Sequence, residues 1–559
     1  MAEHHHLTED EKVLHGMGYA QELSRRMGTF QNFAISFSII CILSGGLASF
    51  PIALSTAGPW MATIGWIIGG VFALIVAASM GQIASAYPTA GGLYHWSSIL
   101  GGKFWGWLTA WTNLLGLLFV IPAVNVILYG FIRDLFFAGM LGWDTSTWTN
   151  TTMYLWVGGI TIAQCLLNHF GIKLTTLLTD ISGYLIFVIS IILTVLLFMH
   201  VKSFDLAKAF AFANTTGDAG GGVATAYGPI MAILMGMLYP LFTITGFDAS
   251  AHTSEETHDA QGTVHKGMMQ SVFWSLVFGF LLALGMTMAL PSVYDALAAD
   301  PKQTTLSADA MKALAGIAGG PAPADMAVLG WNSFSVLFNT LIMPSFLGKI
   351  CAIGIIISNF FCALSAVTST SRMIYAFARD RGIPGVLASV SADHRTPTAA
   401  IWFTGVVTFL LVVITTPLNA FAALSTGCAM YLYMSYGMPV LAGIFAEGST
   451  WTTYGKFRLG GLSKLFGAIV VLGVIAIVIG GHAFVPSVAA VAADANANPP
   501  VAASAFVPGL WYYTVGFYAL LIVVWFAYES RRFQGPPIGD EIKKRQAAIA
   551  AAEAALERG

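Results

Sequence analysis

Charged residues are scarce in this chain of 559 residues. Asp, Glu, Lys and Arg make up only 9% of it, whereas hydrophobic residues make up 57% and the mean hydropathy is +0.75. A chain this apolar cannot bury its hydrophobic residues in a water-soluble core, so a polytopic protein in a lipid bilayer is expected. The net charge of -2 gives no global field that would attract nucleic acid.

Cysteines are also few, and each lies inside an apolar run: Cys41, Cys165, Cys351, Cys362 and Cys428. A disulfide framework or a zinc site would place them in loops at defined spacings. The sequence lacks a phosphate-binding loop, a nucleophile elbow and the paired histidines of a metalloenzyme. We therefore expect no enzyme activity, no cofactor and no metal site.

Long apolar runs are the main feature that is present. The first 28 residues are polar and acidic, unlike a secretory signal peptide. Beyond them, runs of about 20 apolar residues predict twelve membrane-spanning helices. The predicted spans are 30–55, 60–84, 104–132, 153–169, 173–199, 228–251, 265–290, 345–376, 398–416, 419–445, 462–482 and 509–529.

The predicted spans divide the chain into four parts. These are a cytoplasmic tail over 1–28, a helical core over 29–482, an outer loop with the twelfth helix over 483–530, and a cytoplasmic tail over 531–559. The connections 291–330 and 483–508 are expected to be surface loops. Of the 25 Lys and Arg residues, 19 fall on the side that holds both termini. This bias predicts cytoplasmic termini in a plasma or bacterial inner membrane.

Two of the predicted helices are interrupted near their middle. The first is broken at Ser44, Gly45 and Gly46, and the sixth is broken over 240–248. Lipid cannot satisfy the backbone groups that such breaks expose, so a buried site or a cavity must do so. Matching breaks in helices 1 and 6 predict two five-helix repeats of opposite topology, with a transporter's substrate site between them. The alternative is that the glycines only allow helices to pack closely.

Several segments resemble a known family. Residues 81–94 are similar to the signature region of the amino acid/polyamine/organocation (APC) superfamily, and residues 372–384 to the end of its helix 8. Residues 16–25 and 246–257 resemble the amino acid/choline transporter branch, which includes GABA and choline permeases. The resemblance implies an all-α membrane protein with a leucine-transporter-type fold, which moves a small amino compound by alternating access.

The resemblance also implies a substrate site built from the two breaks. Its residues would be Ser44, Gly45, Gly46, Phe242, Thr243, Thr245, Gly246 and Asp248. Backbone amides at the first break favour a substrate with a carboxylate, such as an amino acid or 4-aminobutyrate (GABA), ahead of choline and polyamines. A membrane nutrient sensor that binds without transport would carry the same features.

Coupling to H⁺ or Na⁺ has separate candidates. Asp180 and Asp248 are acids at membrane depth, where a carboxylate usually faces a cavity or a partner. Asp180 could instead pair with a cytoplasmic basic group, and Asp248 could cap a helix or face the substrate amine. Hydroxyl groups of helix 8 suit a hard cation or bond to their own helix. These hydroxyl residues are Ser365, Thr368 and Ser369.

Two further features concern the cytoplasmic side. Glu255 and Glu256 follow helix 6 and predict an inner gate with basic residues, for which the candidates are Arg25, Arg26 and Arg372. The APC signature commonly has a glutamate where this chain has Gln82, and helix 5 lacks the lysine that some members carry. A proton mechanism borrowed from those residues is therefore not expected here.

Overall fold

The computed structural model is helical, with two isolated backbone bridges instead of strands in the part of the chain that it describes. That part comprises residues 7–218, 222–223, 225–299, 331–391, 393–416, 420–495 and 510–537, with 542, 544 and 549. The helices are α1 Glu9–Gly16, α2 Thr29–Ile40, α3 Phe50–Leu54, α4 Trp66–Ala86, α5 Leu93–Gly101, α6 Lys103–Phe131, α7 Asn150–His169, α8 Ile172–Met199, α9 Leu206–Ala209, α10 Pro229–Gly236, α11 Leu238–Thr243, α12 Ala249–His252, α13 Ala260–Ala299, α14 Ser333–Leu337, α15 Phe346–Arg379, α16 Thr398–Thr415, α17 Ala420–Ala446, α18 Ser463–Ala495, α19 Leu510–Val524 and α20 Ser530–Arg532.

Short turns of other helix types extend several of these elements. The wider π-helical turns are Ile42–Gly46, Met61–Gly65, Ile132–Met140, Phe338–Ile342 and Trp525–Glu529. The 3₁₀ turns are Ser254–Glu256, Gly385–Ala388 and Gly460–Leu462. Such turns frequently accompany functional positions in membrane helices.

Ten helical stretches of the described residues are long and apolar enough to cross a membrane. The fourth predicted span is the less apolar α7, and the sixth is divided into α10, α11 and α12. With these two, the structure contains the twelve helices that the hydropathy predicts.

The first membrane helix is interrupted between α2 and α3. Helix α2 ends at Ile40. The next residue, Cys41, has a φ of 20°, and the chain passes through the π-turn Ile42–Gly46 before α3. The sixth is interrupted after α11, where Gly246 has a φ of 82° that an L side chain rarely adopts. Both interruptions lie at the predicted positions. We call residues 41–46 the first break and residues 244–248 the second break.

The two breaks lie against each other in the centre of the bundle. A Cβ atom added to Gly45 would be 2.9 Å from the Cα atom of Thr243, so the absence of a side chain permits this approach. Helices α8, α13 and α15 pack around α2 and enclose the first break. Helix α17 packs along α6 and contacts α11 beside the second break. The core therefore surrounds the interrupted backbone and shields it from lipid.

Two helices continue beyond the ends that the sequence predicts. Helix α13 passes through Pro291 to Ala299, and α18 passes through Pro486 to Ala495. Both extensions are rich in alanine, the strongest helix former, which favours helix over the predicted loops. The rest of those connections, 300–330 and 496–508, lies outside the described residues.

Labelling of introduced cysteines tests the orientation. Ser146 lies between α6 and α7 and Ser449 between α17 and α18, and both are exposed. If the termini are cytoplasmic, a membrane-impermeant maleimide added outside intact cells labels Ser146→Cys and not Ser449→Cys. The five native cysteines are buried and should give little background. Labelling of Ser449→Cys alone would reverse the orientation.

Candidate functional site

A small cavity lies where the two breaks meet. Its volume is about 10 Å³, the space of about one water molecule. Its lining side chains carry hydroxyl, thiol and apolar groups, and no Asp, Glu, Lys or Arg is among them. The lining residues are Ile39, Ile40, Ser44, Gly45, Val120, Val124, Phe242, Thr243, Thr245, Cys362 and Cys428. Five of the predicted substrate-site residues are in this set, whereas Gly46, Gly246 and Asp248 lie beside it.

Backbone groups of the first break have partners within the break. The amides of Ser44 and Gly45 both donate to the carbonyl of Cys41, at 2.8 and 3.1 Å. The Ser44 hydroxyl is buried and has no hydrogen-bond partner. A bound carboxylate could accept from this hydroxyl, and from the two amides once they leave the Cys41 carbonyl.

Two tyrosines of α17 make hydrogen bonds to backbone groups of the second break. The sequence analysis did not identify either of them. The Tyr433 hydroxyl donates to the Ile244 carbonyl at 2.6 Å. The Tyr436 hydroxyl accepts from the Gly246 amide at 3.0 Å and donates to Asp248 Oδ1 at 2.9 Å. Both rings are fully buried. Buried tyrosine hydroxyls need partners, which is the only signal in the sequence that could have identified them.

Asp248 is fully buried, is not among the residues that line the cavity, and lies in a polar cluster. Its Oδ2 accepts from the Asn113 amide at 3.1 Å and lies 3.3 Å from His252 Nε2. Asn113 also donates to the Ser435 hydroxyl at 3.1 Å. Sequence analysis had singled out Asp248 but neither Asn113 nor His252.

Ion pairs close the side of the cavity that carries the predicted gate. Arg372 donates to both carboxylate oxygens of Glu256, at 3.0 and 3.2 Å, and both side chains are buried. Arg379 donates to Glu255 at 2.9 and 3.1 Å. Of the predicted basic partners, Arg372 makes an ion pair here, while Arg25 donates to the carbonyls of residues 254 and 257. Arg379 had not been predicted.

Glu255 remains ionised despite its burial. Burial alone would raise its pKa, but the charge of Arg379 and its hydrogen bonds, with the Ala90 amide at 3.0 Å, hold the pKa of Glu255 below its usual value. The Arg379 guanidinium also stacks 4.0 Å from the ring of Tyr19, in the N-terminal segment before α2. The N-terminal segment and α15 are thus both tied to this gate.

Aromatic rings close the opposite side. Phe242 meets Phe421 edge to face with ring centroids 5.9 Å apart, and Phe421 contacts Trp331 in the same way. Beyond them is a second cavity of about 280 Å³, whose lining includes Arg133 and Asp134. One aromatic layer therefore separates the central cavity from a much larger one.

The predicted ion-site hydroxyls lie buried on α15. Ser365 and Ser369 have no hydrogen-bond partner, whereas Thr368 donates to Asn168 Oδ1 at 2.7 Å and to the Leu364 carbonyl. Free hydroxyls retain the capacity to bind a cation. Among the described residues, no cluster of His, Cys, Asp or Glu could hold a metal ion.

The two remaining sequence candidates have neutral partners. Asp180 accepts from the Gln31 amide at 2.9 Å, and the structure gives it no ion pair among the described residues. The Gln82 amide donates to the Ser463 hydroxyl at 2.7 Å and thereby links α4 to the start of α18. Gln82 therefore makes a structural contact at a position where the APC signature commonly has a titratable glutamate.

A helical membrane bundle whose first and sixth membrane helices are broken around a central cavity has the leucine-transporter-type fold. The solved structure of MhsT in complex with L-phenylalanine has this fold, with a TM-score of 0.55 at 15% identity, over 83% of this chain and 99% of that one.

Sequence comparison identifies the family. The family model described as "Amino acid permease" matches residues 27–506. Amino-acid permease BAT1 of Arabidopsis thaliana is 31% identical over 82% of this chain and 86% of its own length. A BAT1 homolog of Oryza sativa is 30% identical over 83% and 86%. A putative polyamine transporter of Candida albicans is 24% identical over 83% and 79%. The chain belongs to the amino acid permease family of the APC superfamily.

The contact between the breaks can be tested with a matched pair of glycine variants. Gly45→Ala places a methyl group 2.9 Å from the Thr243 backbone, whereas the nearest atom to a Cβ at Gly46 is 3.6 Å away on Trp66. The methyl group must shift the backbone of Gly45, whose amide is a candidate donor to a bound carboxylate. A lost hydrogen bond to a charged group costs about 1.5–3 kcal/mol, so Gly45→Ala should weaken substrate binding by about tenfold or more. Gly46→Ala should have a much smaller effect. Binding is measured by scintillation proximity on purified protein, and equal affinities would contradict the contact.

Removal of one gate charge should favour the state that is open on the side of the gate. Glu256→Gln leaves Arg372 buried without a counter-charge, and breaking a buried pair costs about 3–5 kcal/mol. A cysteine at buried Ser254 should then react faster with a thiol reagent added on the side of the gate. Glu9→Gln is the control, because Glu9 pairs with Lys12 at the exposed surface. An unchanged rate in Glu256→Gln would argue against a gate at this pair.

Proposed function

We propose that this protein is a secondary active permease that moves a small amino acid, such as GABA, across the membrane by alternating access. The observation that carries the proposal is the meeting of the two breaks, Gly45 against Thr243, around the central cavity. Interrupted backbone is tolerated at membrane depth where it is buried in protein or lines a cavity, and matching breaks in the two halves of a transporter point to its substrate site.

The cavity chemistry favours a substrate that bears a carboxylate. The amides at Ser44 and Gly45 and the partnerless Ser44 hydroxyl are donors, and no acidic side chain lines the cavity. A substrate carboxylate would take the place of the Cys41 carbonyl as acceptor. The amino group would meet carbonyls of the second break, which are acceptors for a cation.

The closed cavity sets the order of events. In this conformation the centre has room for about one water molecule, so a substrate must displace the breaks in order to enter. Entry from the outer cavity requires movement of the Phe242–Phe421 contact, which is apolar and lacks hydrogen bonds between the rings. Release requires separation of Glu255 and Glu256 from their arginines. Closing one barrier before the other opens is the essence of alternating access.

Choline and polyamines remain the alternative substrates. A putative polyamine transporter is among the relatives, and a diamine would require anionic side chains at the site. Asp248 is the nearest candidate, but its oxygens already accept from Asn113 and Tyr436. A nutrient sensor is the alternative function and would bind substrate without moving it.

Counterflow in proteoliposomes tests the function without requiring knowledge of the coupling ion. Liposomes with purified protein are preloaded with one unlabelled compound and diluted into a trace of the same compound in radiolabelled form. The panel contains the standard L-amino acids, GABA, choline and putrescine. We expect labelled amino acid or GABA to accumulate, and Gly45→Ala to reduce that accumulation. Accumulation of putrescine or choline alone would reassign the substrate, and binding without counterflow would indicate a sensor.

A further inference from the structure

A carboxylate and an imidazole lie one turn apart at the start of α12, directly after the second break. Asp248 and His252 are fully buried, and Asp248 Oδ2 lies 3.3 Å from His252 Nε2. Sequence analysis considered Asp248 alone. Asp248 is thus paired with a histidine inside the protein, and the proposed binding of the substrate does not use this pair.

Hydrogen-bond geometry requires a proton between these two groups. His252 Nδ1 lies 3.0 Å from the Ala90 carbonyl, which can only accept, so Nδ1 carries a hydrogen. A neutral ring would then present a bare Nε2 to a carboxylate oxygen, and two acceptors repel each other. A second proton, on Nε2 or on Oδ2, removes this conflict.

The charge balance leads to the same conclusion. With the second proton, the pair is neutral overall, as an aspartate with an imidazolium or as two neutral groups. Without it, one negative charge remains fully buried, which is costly in a low-dielectric interior. Asp248 makes no ion pair with Lys or Arg among the described residues. The buried pair therefore favours one additional proton.

The groups around the pair on neighbouring helices are uncharged. Asn113 of α6 donates to Asp248, as does Tyr436 of α17. The thiol of Cys428, also on α17, lies close enough to interact electrostatically with the carboxylate. The charged groups linked to the pair are Glu255 and Arg379, which reach His252 through Ala90 and form an ion pair with each other, without net charge.

A continuous chain of hydrogen bonds joins the pair to the second break and to the gate. On one side, the Tyr436 hydroxyl contacts Asp248 and the amide of Gly246. On the other, the Ala90 carbonyl contacts His252, while the amide of Ala90 donates to Glu255 at 3.0 Å. Glu255 in turn pairs with Arg379 of the gate. A change in the protonation of the pair therefore acts on hydrogen bonds that reach both the second break and the gate.

We propose that Asp248 and His252 bind one proton between them and that this proton moves with the substrate, an inference that rests on the permease function proposed above. The proton is held between Nε2 and Oδ2 while the gate is closed. It leaves to the cytoplasmic solution when the gate opens and water reaches the pair. Because proton and substrate both favour the closed arrangement, each strengthens the binding of the other.

Proton movement can be measured in proteoliposomes that contain a pH-sensitive dye. The probe is the amino acid with the largest counterflow in the panel above. Its addition outside wild-type vesicles should acidify the interior, with about one proton for each molecule of substrate. For each molecule of substrate taken up, His252→Gln should reduce this proton movement by about tenfold or more. It should also weaken substrate binding, because proton and substrate strengthen each other's binding. Asp295→Asn is the control, because Asp295 pairs with Lys202 at the exposed surface.

The outcomes separate the two proposals. Counterflow in wild type without proton movement would overturn the proton site and leave the permease function intact. Proton movement that is unchanged in His252→Gln would also overturn it. If His252→Gln does not fold, Asp248→Asn is used in its place. This near-isosteric change removes the same proton site. The absence of counterflow with every compound would count against the permease function.

Discussion

The structure depends on one constraint, which is that backbone groups freed by breaking a membrane helix must find partners inside the protein. At the first break, the Cys41 carbonyl accepts from two amides three and four residues further on. At the second break, hydroxyl groups of Tyr433 and Tyr436 perform this task from a different helix. The second break is therefore stable only as long as α17 stays beside it, so movement of α17 and unwinding of helix 6 are coupled.

Local patterns were sufficient to predict the helices and the positions of the breaks. Apolar runs, Gly45-Gly46 and the segment from Pro240 to Asp248 are readable because membrane helices are continuous and breaks are rare. The sequence analysis did not predict the extensions of α13 and α18. Asp, Gly and Pro follow these alanine-rich segments, so that each connection, taken as a whole, has the composition of a polar loop. Helix propensity prevailed over the loop signals there.

Contacts between distant segments could not be predicted in the same way. The hydrogen bond from Tyr436 to Asp248 joins residues 188 apart in sequence, and the pair Arg379 with Glu255 joins residues 124 apart. No spacing rule connects such residues, because their proximity is a product of the folded bundle. A buried ionisable residue in a membrane helix predicts a partner without identifying it. Arg372 was one of three basic residues predicted for the gate, with Arg25 and Arg26, and the sequence could not select among them.

The two closures of the cavity differ in physical kind, and this difference suits a transporter. On the side of the gate, buried charges are held by bidentate contacts, which are strong when intact and costly when a single partner is lost. Such a barrier has two well-separated states, because a half-open ion pair inside the protein is less favourable than either a closed pair or two hydrated ions. On the other side, rings of Phe242 and Phe421 meet edge to face, a contact worth only about 0.5–1.5 kcal/mol beyond burial. The aromatic barrier can open by rotation of side chains, whereas the ionic barrier requires helices to separate. The ionic barrier therefore costs more to open than the aromatic one, and the proton proposed at Asp248 and His252 adds to that cost because it favours the closed gate.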